Sequence, residues 1–573
     1  MDYKQAISKY LSPYLPEVPS DEIANAIEQP PNAQMGHFAY PCFKLAKALR
    51  KAPPAIAAEL SAKIMENPLP SWLQSVESAG GYINFYLDRP SFAEQVLDAV
   101  ETQSRGYGSS TVGAGKVVLV DYSSPNIAKQ FHVGHLGTTV IGRALYNIFN
   151  YQGYKTVGIN YLGDWGTSFG KLLTAYLKWG NKAEIEETGI DGLTKLYVRF
   201  HDEAENDPSL NEEARDWVVK MENGDEEGLQ IWRWLCEISM REYQKVYDRL
   251  GISFESYRGE SYYEDKMDDT VEELRKKGLL MESEGAQVVD LEEYKMPPCL
   301  ILRQDGGTLY ATRDITAARD RYANYHFDKS LYVVGNEQKL HFAQFFKVLE
   351  LMEYPWAKDM THVNYGLFVF ESGKMSTRKG QVIKMADLLD ESVAKTLEII
   401  DEKSPDLENK QEVAEQVGVG AVIFNEMYNS RIKDVMFSWE RMLNFEGETG
   451  PYIQYTHARA CSVLEKAGVL AHSDGGANRL SANQLPIDDE AFDVLRLLYN
   501  FPDRIAEAAE KYEPFIVSRF LIALAQAFNK FYNTHIILTG DEAQAGRLAL
   551  VSAVRIVLEN GLKLLGIAAP KKM

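Results

Sequence analysis

The chain has 573 residues, 45% of them hydrophobic, with 61 Lys and Arg against 82 Asp and Glu for a formal net charge of −21. That size predicts three or four domains of an ordinary soluble globular protein. No apolar run approaches the roughly 18 residues that a membrane span needs, no secretory signal opens the chain, and Cys42, Cys236, Cys299 and Cys461 lie too far apart for a short-spaced pair, so a disulfide framework or zinc site is not expected and a reducing cytoplasm is. The acidic balance speaks against a uniformly nucleic-acid-binding surface, because phosphate neutralisation needs Lys and Arg. Much of the acid, however, sits between Glu184 and Glu293, which leaves room for basic surface elsewhere.

Residues 1–112 precede the first nucleotide-fold signal and read as a separate α+β module. Phe43, Leu45, Ala46 and Leu49 alternate with Lys44, Lys47, Arg50 and Lys51, which predicts a short helix with a basic face before Pro53-Pro54. A second helix is predicted over Ala55–Met65, and a strand over Gly80–Leu87 entered from a glycine turn. Gly106–Gly115, rich in Gly and Ser, reads as the linker onward.

Lys116-Val-Val-Leu-Val120 is an apolar β-branched run of the kind buried in parallel sheets. It leads into Asp121-Tyr-Ser-Ser-Pro-Asn-Ile-Ala-Lys-Gln-Phe-His-Val-Gly-His135. Val140, Ile141, Leu145, Ile148 and Phe149 then recur at helical spacing, and Thr156–Leu162 is a second strand. The unit is strand, loop, helix, strand, with two histidines at the helix start, where unpaired N–H groups and the positive dipole end suit phosphate. Gly134 admits a close backbone approach, and His132 and His135 can donate to phosphoryl oxygens.

An acidic helical stretch follows, to which no chemistry is assigned. Strands are predicted at Ala286–Asp290, Leu300–Leu302, Ser330–Val334 and His362–Phe370, and strands separated by helices argue for an α/β parallel sheet with its ligand at the carboxyl ends. No Gly-x-x-x-x-Gly-Lys-Ser/Thr is present, nor a Gly-x-Gly-x-x-Gly after a strand, which excludes a P-loop and a dinucleotide fingerprint. From Val417 onward strand signals vanish. Ile516, Phe520, Leu524, Phe528 and Phe531 mark one helix face and Val551, Val554, Val557 and Leu558 another, as in a helical bundle.

His132-Val-Gly-His135 resembles the His-Ile-Gly-His signature of class I aminoacyl-tRNA synthetases. Ser124-Pro-Asn-Ile-Ala-Lys129 before it and Leu162-Gly-Asp-Trp-Gly-Thr-Ser-Phe-Gly170 after it resemble the arginyl-tRNA synthetase family in particular. Lys374-Met-Ser-Thr-Arg-Lys-Gly380 resembles the family's Lys-Met-Ser-Lys-Ser loop, with Thr377 and Arg378 as departures. Gly36–Tyr40, Leu45–Lys47, Pro54–Ala57 and Gly81–Phe85 look like the additional N-terminal domain. Gly450–Arg459, Leu524–Asn533 and the ending at Met573 look like the anticodon-binding domain. Gly137 stands where arginyl enzymes often carry arginine.

The resemblance implies a Rossmann-like parallel-sheet catalytic domain with helical insertions over 113–385, a helical stem-contact linker over 386–450, and an all-α anticodon-binding bundle over 451–573, preceded by the tRNA-corner-binding domain. It implies activation of L-arginine with ATP and Mg²⁺, then transfer to tRNA-Arg, by a cytoplasmic monomer with no tightly bound cofactor, no protein-held metal, and no membrane or DNA partner. Catalytic roles fall on Lys129, His132, His135 and Lys374. ATP contacts fall on His132, Gly134, His135, Lys374, Met375, Ser376 and Arg378. Arginine contacts fall on Asp121, Tyr310 and Asp314 for the guanidinium and on Ser124, Asn126 and Gln338 for the α-amino and α-carboxylate groups. A guanidinium stays charged, so a site for it needs buried carboxylates facing one another across a ligand-sized gap. The alternatives are a class I synthetase of another specificity, in which Asp121 and Asp314 would not converge, and a non-catalytic tRNA-binding paralog, which has no need of His132, His135 and Lys374.

Overall fold

The computed structural model describes residues 2–30, 35–304, 307–370, 383–469 and 485–573. They form two compact units that do not follow chain order. One comprises Met1–Tyr107, Ala460–Asn500 and Gln526–Val557, the other Gly108–Arg459, Phe501–Ala525 and Leu558–Met573. No helix of the described residues is long and apolar enough to cross a membrane.

In the first unit an antiparallel sheet of β1 (Phe38–Pro41), β2 (Leu73–Ala79) and β3 (Tyr82–Leu87) runs in the order β1-β3-β2. The β2–β3 hairpin turns at Gly80 and Gly81, whose φ angles of +57° and +97° a side chain would resist. Tyr3 is fully buried and its ring meets those of Phe38, Phe92 and Tyr499 at centroid distances of 6.2, 5.5 and 5.6 Å. The N-terminal segment therefore shares its core with the helix Asp489–Lys511. The predicted basic helix is present as Leu45–Leu49. Leu45 is buried, but Phe43 and Leu49 are about half exposed, beside exposed Lys44, Lys47 and Arg50.

The second unit is built on four parallel strands: β4 (Val117–Asp121), β5 (Lys155–Ile159), then β9 (Lys329–Tyr332) and β10 (Met360–His362), in the order β10-β9-β4-β5. The helix Leu136–Tyr151 joins β4 to β5, and the helix Lys339–Leu351 joins β9 to β10. Chain order thus reverses between β4 and β9, and their carboxyl ends flank the crevice where such sheets bind ligands. The expected linker is docked rather than free: the amides of Ser110 and Gly113 donate to the carbonyls of Tyr151 and Gln152.

Two sequence expectations need correction. The strands predicted near 286 and 300 do not join the parallel sheet. With β6 (Leu280–Ser283), β7 (Ala286–Val289) and β8 (Cys299–Leu302) form a separate antiparallel sheet, since connections this short cannot make a parallel crossover. The strand predicted over His362–Phe370 breaks in two. Its second part, β11 (Phe368–Phe370), pairs in parallel with β12 (Val435–Phe437), a strand in a region read as wholly helical. The rest of that region is helical as expected, and Leu524, Phe528 and Phe531 are fully buried on the helix Phe515–Thr534.

Candidate active site

The loop after β4 is held in an unfavourable backbone conformation. Ser123, Ser124 and Ala128 have φ of 71°, 47° and 62°, a region that side chains other than glycine rarely enter and that persists only where surroundings enforce it. The enforcement comes from the acidic insertion, whose helix Glu226–Leu250 packs beneath. Tyr243 Oη lies 2.8 and 2.7 Å from the carbonyls of Asn126 and Lys129, Ser239 Oγ accepts from the Ala128 amide, and Tyr247 Oη pairs with Ser123 Oγ at 2.8 Å. The stretch read as packing and a solvated face is the platform of this loop. Lys129 and Asn126 themselves are exposed.

The loop ends in a 3₁₀ turn, Val133–His135, which starts the helix Leu136–Tyr151. The Gly134 amide donates to His132 Nδ1 at 3.0 Å, and the His132 amide donates to His135 Nδ1 at 3.2 Å. A Cβ at position 134 would lie 2.7 Å from His132 Cε1, so glycine is what lets the His132 ring fold back over the turn. With its Nδ1 accepting, the neutral His132 ring carries its proton on Nε2, free to donate, while His135 Nδ1 lies 3.2 Å from both the amide and the carbonyl of His132. Burial drives both imidazoles toward the neutral form. The His135 value is pushed down to about 3, with the neighbouring His132 and Lys129 adding to the effect. The two rings are thus uncharged hydrogen-bond donors at the positive end of a helix dipole.

The described chain resumes after 382 directly against this turn. The Val133 amide donates to the Ile383 carbonyl and the Met385 amide to the Phe131 carbonyl. Lys384 Nζ reaches both carboxylate oxygens of Asp191 at 2.8 Å. Lys374, Met375, Ser376 and Arg378 lie outside the described residues.

At the carboxyl end of β4, Asp121 is buried, and both its oxygens have partners within the chain. Arg321 Nη1 stands 2.8 Å from Oδ2, and Ser124 Oγ donates to Oδ1 at 3.0 Å. Arg321 is itself buried, with its guanidinium 5.0 Å from the Tyr161 ring and 5.4 Å from the Tyr332 ring. Arg321 escaped the sequence reading although it lies seven residues past Asp314, two turns along the same helix face. Asp314 sits on the first turns of the helix Tyr310–Tyr325, and its Oδ2 is 2.5 Å from His341 Nε2. Its negative charge pushes the Tyr161 hydroxyl and, more weakly, the Asp121 carboxyl toward their neutral forms. Tyr310, on the same face of that helix, is 70% exposed, and Gln338, in the 3₁₀ turn Asn336–Gln338 after β9, is exposed as well.

More acid surrounds these groups than the sequence reading foresaw. Arg313 is clasped by Glu264 at 2.5 Å and Glu260 at 3.3 Å. Burial pushes Glu260 up to about 7 against the pull of Arg313, and the charges of Asp314 and Asp164 push the same way. Another unforeseen group is Glu426, the last residue of the helix Lys410–Glu426, which is buried with no hydrogen bond to Oε2. A Cβ at Gly137 would lie 2.7 Å from its Oε1 and 2.8 Å from Tyr365 Cδ2. Glycine at 137 therefore leaves this carboxyl facing bare backbone rather than a side chain.

The chain matches three family models in succession: the arginyl tRNA synthetase N terminal domain over 1–87, the catalytic domain of tRNA synthetases class I (R) over 96–439, and the DALR anticodon binding domain over 453–573. It is 50% identical to an arginine–tRNA ligase of Halothermothrix orenii and 52% identical to one of Clostridioides difficile, with 100% of each chain covered. Its fold resembles the solved arginyl-tRNA synthetase of Thermus thermophilus, with a TM-score of 0.81 at 26% identity and 100% coverage of both chains. That of Plasmodium falciparum superposes with a TM-score of 0.79 at 23% identity, covering 99% of this chain and 98% of the other. A strained loop after the first parallel strand, a neutral histidine pair at a helix start and a buried acid at the carboxyl end of that strand thus occur in a chain that belongs, end to end, to the arginyl-tRNA synthetases of class I.

Proposed function

We infer that the chain is an arginine–tRNA ligase: it joins the carboxylate of L-arginine to the α-phosphate of ATP with release of pyrophosphate, then passes the arginyl group to the 3′ end of tRNA-Arg. The observation that carries this reading is full-length identity of 50–52% to arginine–tRNA ligases. The substrate carboxylate is itself the nucleophile, so the protein needs no general base. It must align two anions and stabilise the charge that grows on the phosphate oxygens. The ring N–H groups of His132 and His135 suit that task as neutral donors, and Lys129 and Lys374 as cations. Mg²⁺ would travel on the ATP phosphates and offset their charge. The arginine end is served by Asp314, with Tyr310 beside it and Ser124, Asn126 and Gln338 toward the α-amino and α-carboxylate groups. Asp121, expected from the sequence to meet the guanidinium directly, is already engaged by Arg321 and Ser124 and supports the pocket from behind. An excess of carboxylates over Arg313 and Arg321 around the crevice supports a cationic ligand.

ATP–pyrophosphate exchange with each amino acid, with and without tRNA, tests the reading; exchange driven best by anything other than arginine overturns it. His132→Ala and His135→Ala are each expected to lower turnover by about 3 kcal/mol of transition-state stabilisation, the scale of one oxyanion donor, with little change in arginine affinity. Because both imidazoles are held neutral, the exchange rate should carry no inflection from these two residues between pH 6.5 and 8. An inflection that disappears in the His132→Asn variant would show a ring that titrates.

The N-terminal helix is assigned to the tRNA corner. Deleting residues 1–110 is a poor test, because Tyr3, Phe38 and Phe92 form one core with Tyr499. Charge reversal on the intact chain is cleaner. Lys44→Glu with Lys47→Glu should weaken tRNA binding and flatten its salt dependence while exchange in saturating tRNA is kept; unchanged tRNA affinity would make this face merely solvated.

A further inference from the structure

The two carboxylates of the arginine crevice are held differently. Asp121 has a partner on each oxygen: one meets the Arg321 guanidinium and the other the Ser124 hydroxyl. Asp314 is held on one side only, by His341 Nε2 at Oδ2, and its Oδ1 takes no hydrogen bond among the described residues. A carboxylate only accepts, so His341 Nε2 must carry a proton there. His341 stands on the first turn of the helix Lys339–Leu351, three residues past Gln338. Its ring packs against Phe342 and Phe345 at centroid distances of 5.6 and 5.4 Å, which sets its direction. Both members of the pair are about a quarter exposed, so the contact borders solvent-accessible space.

We propose that His341 is a specificity-determining positioning residue, which donates to one oxygen of Asp314 and so turns the other oxygen, with the carboxylate's charge, toward the guanidinium of the incoming arginine. This rests on Asp314 reading the guanidinium, as inferred above. Arg321 gives Asp121 a cationic partner, and both Asp121 oxygens are engaged within the chain. The His341 imidazole engages Asp314 through one oxygen only and leaves the other open. One acid is thereby spent inside the protein and the other stays available to the substrate.

The test separates the hydrogen bond from the packing. His341→Phe keeps an aromatic ring against Phe342 and Phe345 but removes the donor; His341→Gln keeps an amide donor. In ATP–pyrophosphate exchange with tRNA present, His341→Phe is expected to raise KM for arginine about 10- to 100-fold, the effect of one hydrogen bond to a charged group. KM for ATP should stay unchanged, and His341→Gln should recover most of the loss. Equal losses in both variants, no loss in His341→Phe, or a matching rise in KM for ATP would overturn the proposal. Thermal unfolding with and without ATP shows whether each variant is folded; if His341→Phe loses its ATP-induced shift it is replaced by His341→Leu, which also lacks a donor and for which the same loss is expected. Asp314→Asn is measured alongside. If it leaves KM for arginine untouched, the guanidinium assignment falls and this proposal with it; if it raises KM while His341→Phe does not, only the role of His341 falls.

Discussion

Asp314→Asn is expected to weaken arginine binding by roughly 30-fold to several-thousand-fold, the range of about 2 to 5 kcal/mol for a charge-assisted bond lost together with an unsatisfied group. The geometry explains why the isosteric change is so costly. Asp314 lies between two donors, the His341 Nε2–H on one side and, in the proposed complex, the guanidinium on the other. A carboxylate accepts from both. An amide has one accepting oxygen and one donating NH₂, so whichever way it turns, a donor faces a donor. ATP affinity should barely change, because the phosphates belong to the histidine end of the crevice. Citrulline, neutral and carrying a carbonyl in place of an N–H₂ group, should lose much less than arginine or even gain. Calorimetric titration of both ligands decides it: equal losses would mean that Asp314 supports the fold and does not read the guanidinium.

A second large effect is expected at Glu426, where activity is not the readout. Burial raises this carboxyl from its ordinary 4.5 to about 8. The folded state therefore keeps a proton that the unfolded chain releases. Below pH 4.5 both states are protonated and the residue costs nothing by this route. From there upward stability falls with pH, by roughly 3 kcal/mol at pH 7 and about 5 kcal/mol above pH 8, from 1.36 kcal/mol per unit. Glu426→Gln removes the titration and leaves a buried amide in place of a buried acid. Its stability relative to the parent should accordingly improve from pH 5 to pH 8 by several kcal/mol, measured by denaturant unfolding. Parallel stability curves over that range would mean that Glu426 is charged and compensated in solution.

Much of the site was legible in the sequence because its chemistry is local. His132, Gly134 and His135 lie within one turn, and the hydrogen bonds at their Nδ1 atoms run between residues two and three apart. The parallel strands were legible for a related reason: a strand buried on both faces, as β4 is, reads as a near-continuous apolar run, and β5 and β9 each carry a short β-branched or apolar run with helices between them. The strands near 286 and 300 carried the same apolar signal, yet pair in antiparallel fashion, since periodicity reports burial and says nothing of pairing direction. The strand β12 was invisible because three residues are too few to show a period.

What the sequence by itself determined, then, is the order of the chemistry-bearing segments, the helix start that presents two histidines, and the family, since these depend on neighbours along the chain. Only the tertiary structure decided that Arg321 closes off Asp121 while Asp314 stays open on one side, that Tyr243 and Tyr247 of the acidic insertion hold the strained loop, and that Glu426 lies buried against Gly137. Each of these joins residues from separate elements, and the state of a buried charge depends on which partner the packing brings within about 3 Å, a distance that no spacing along the chain encodes.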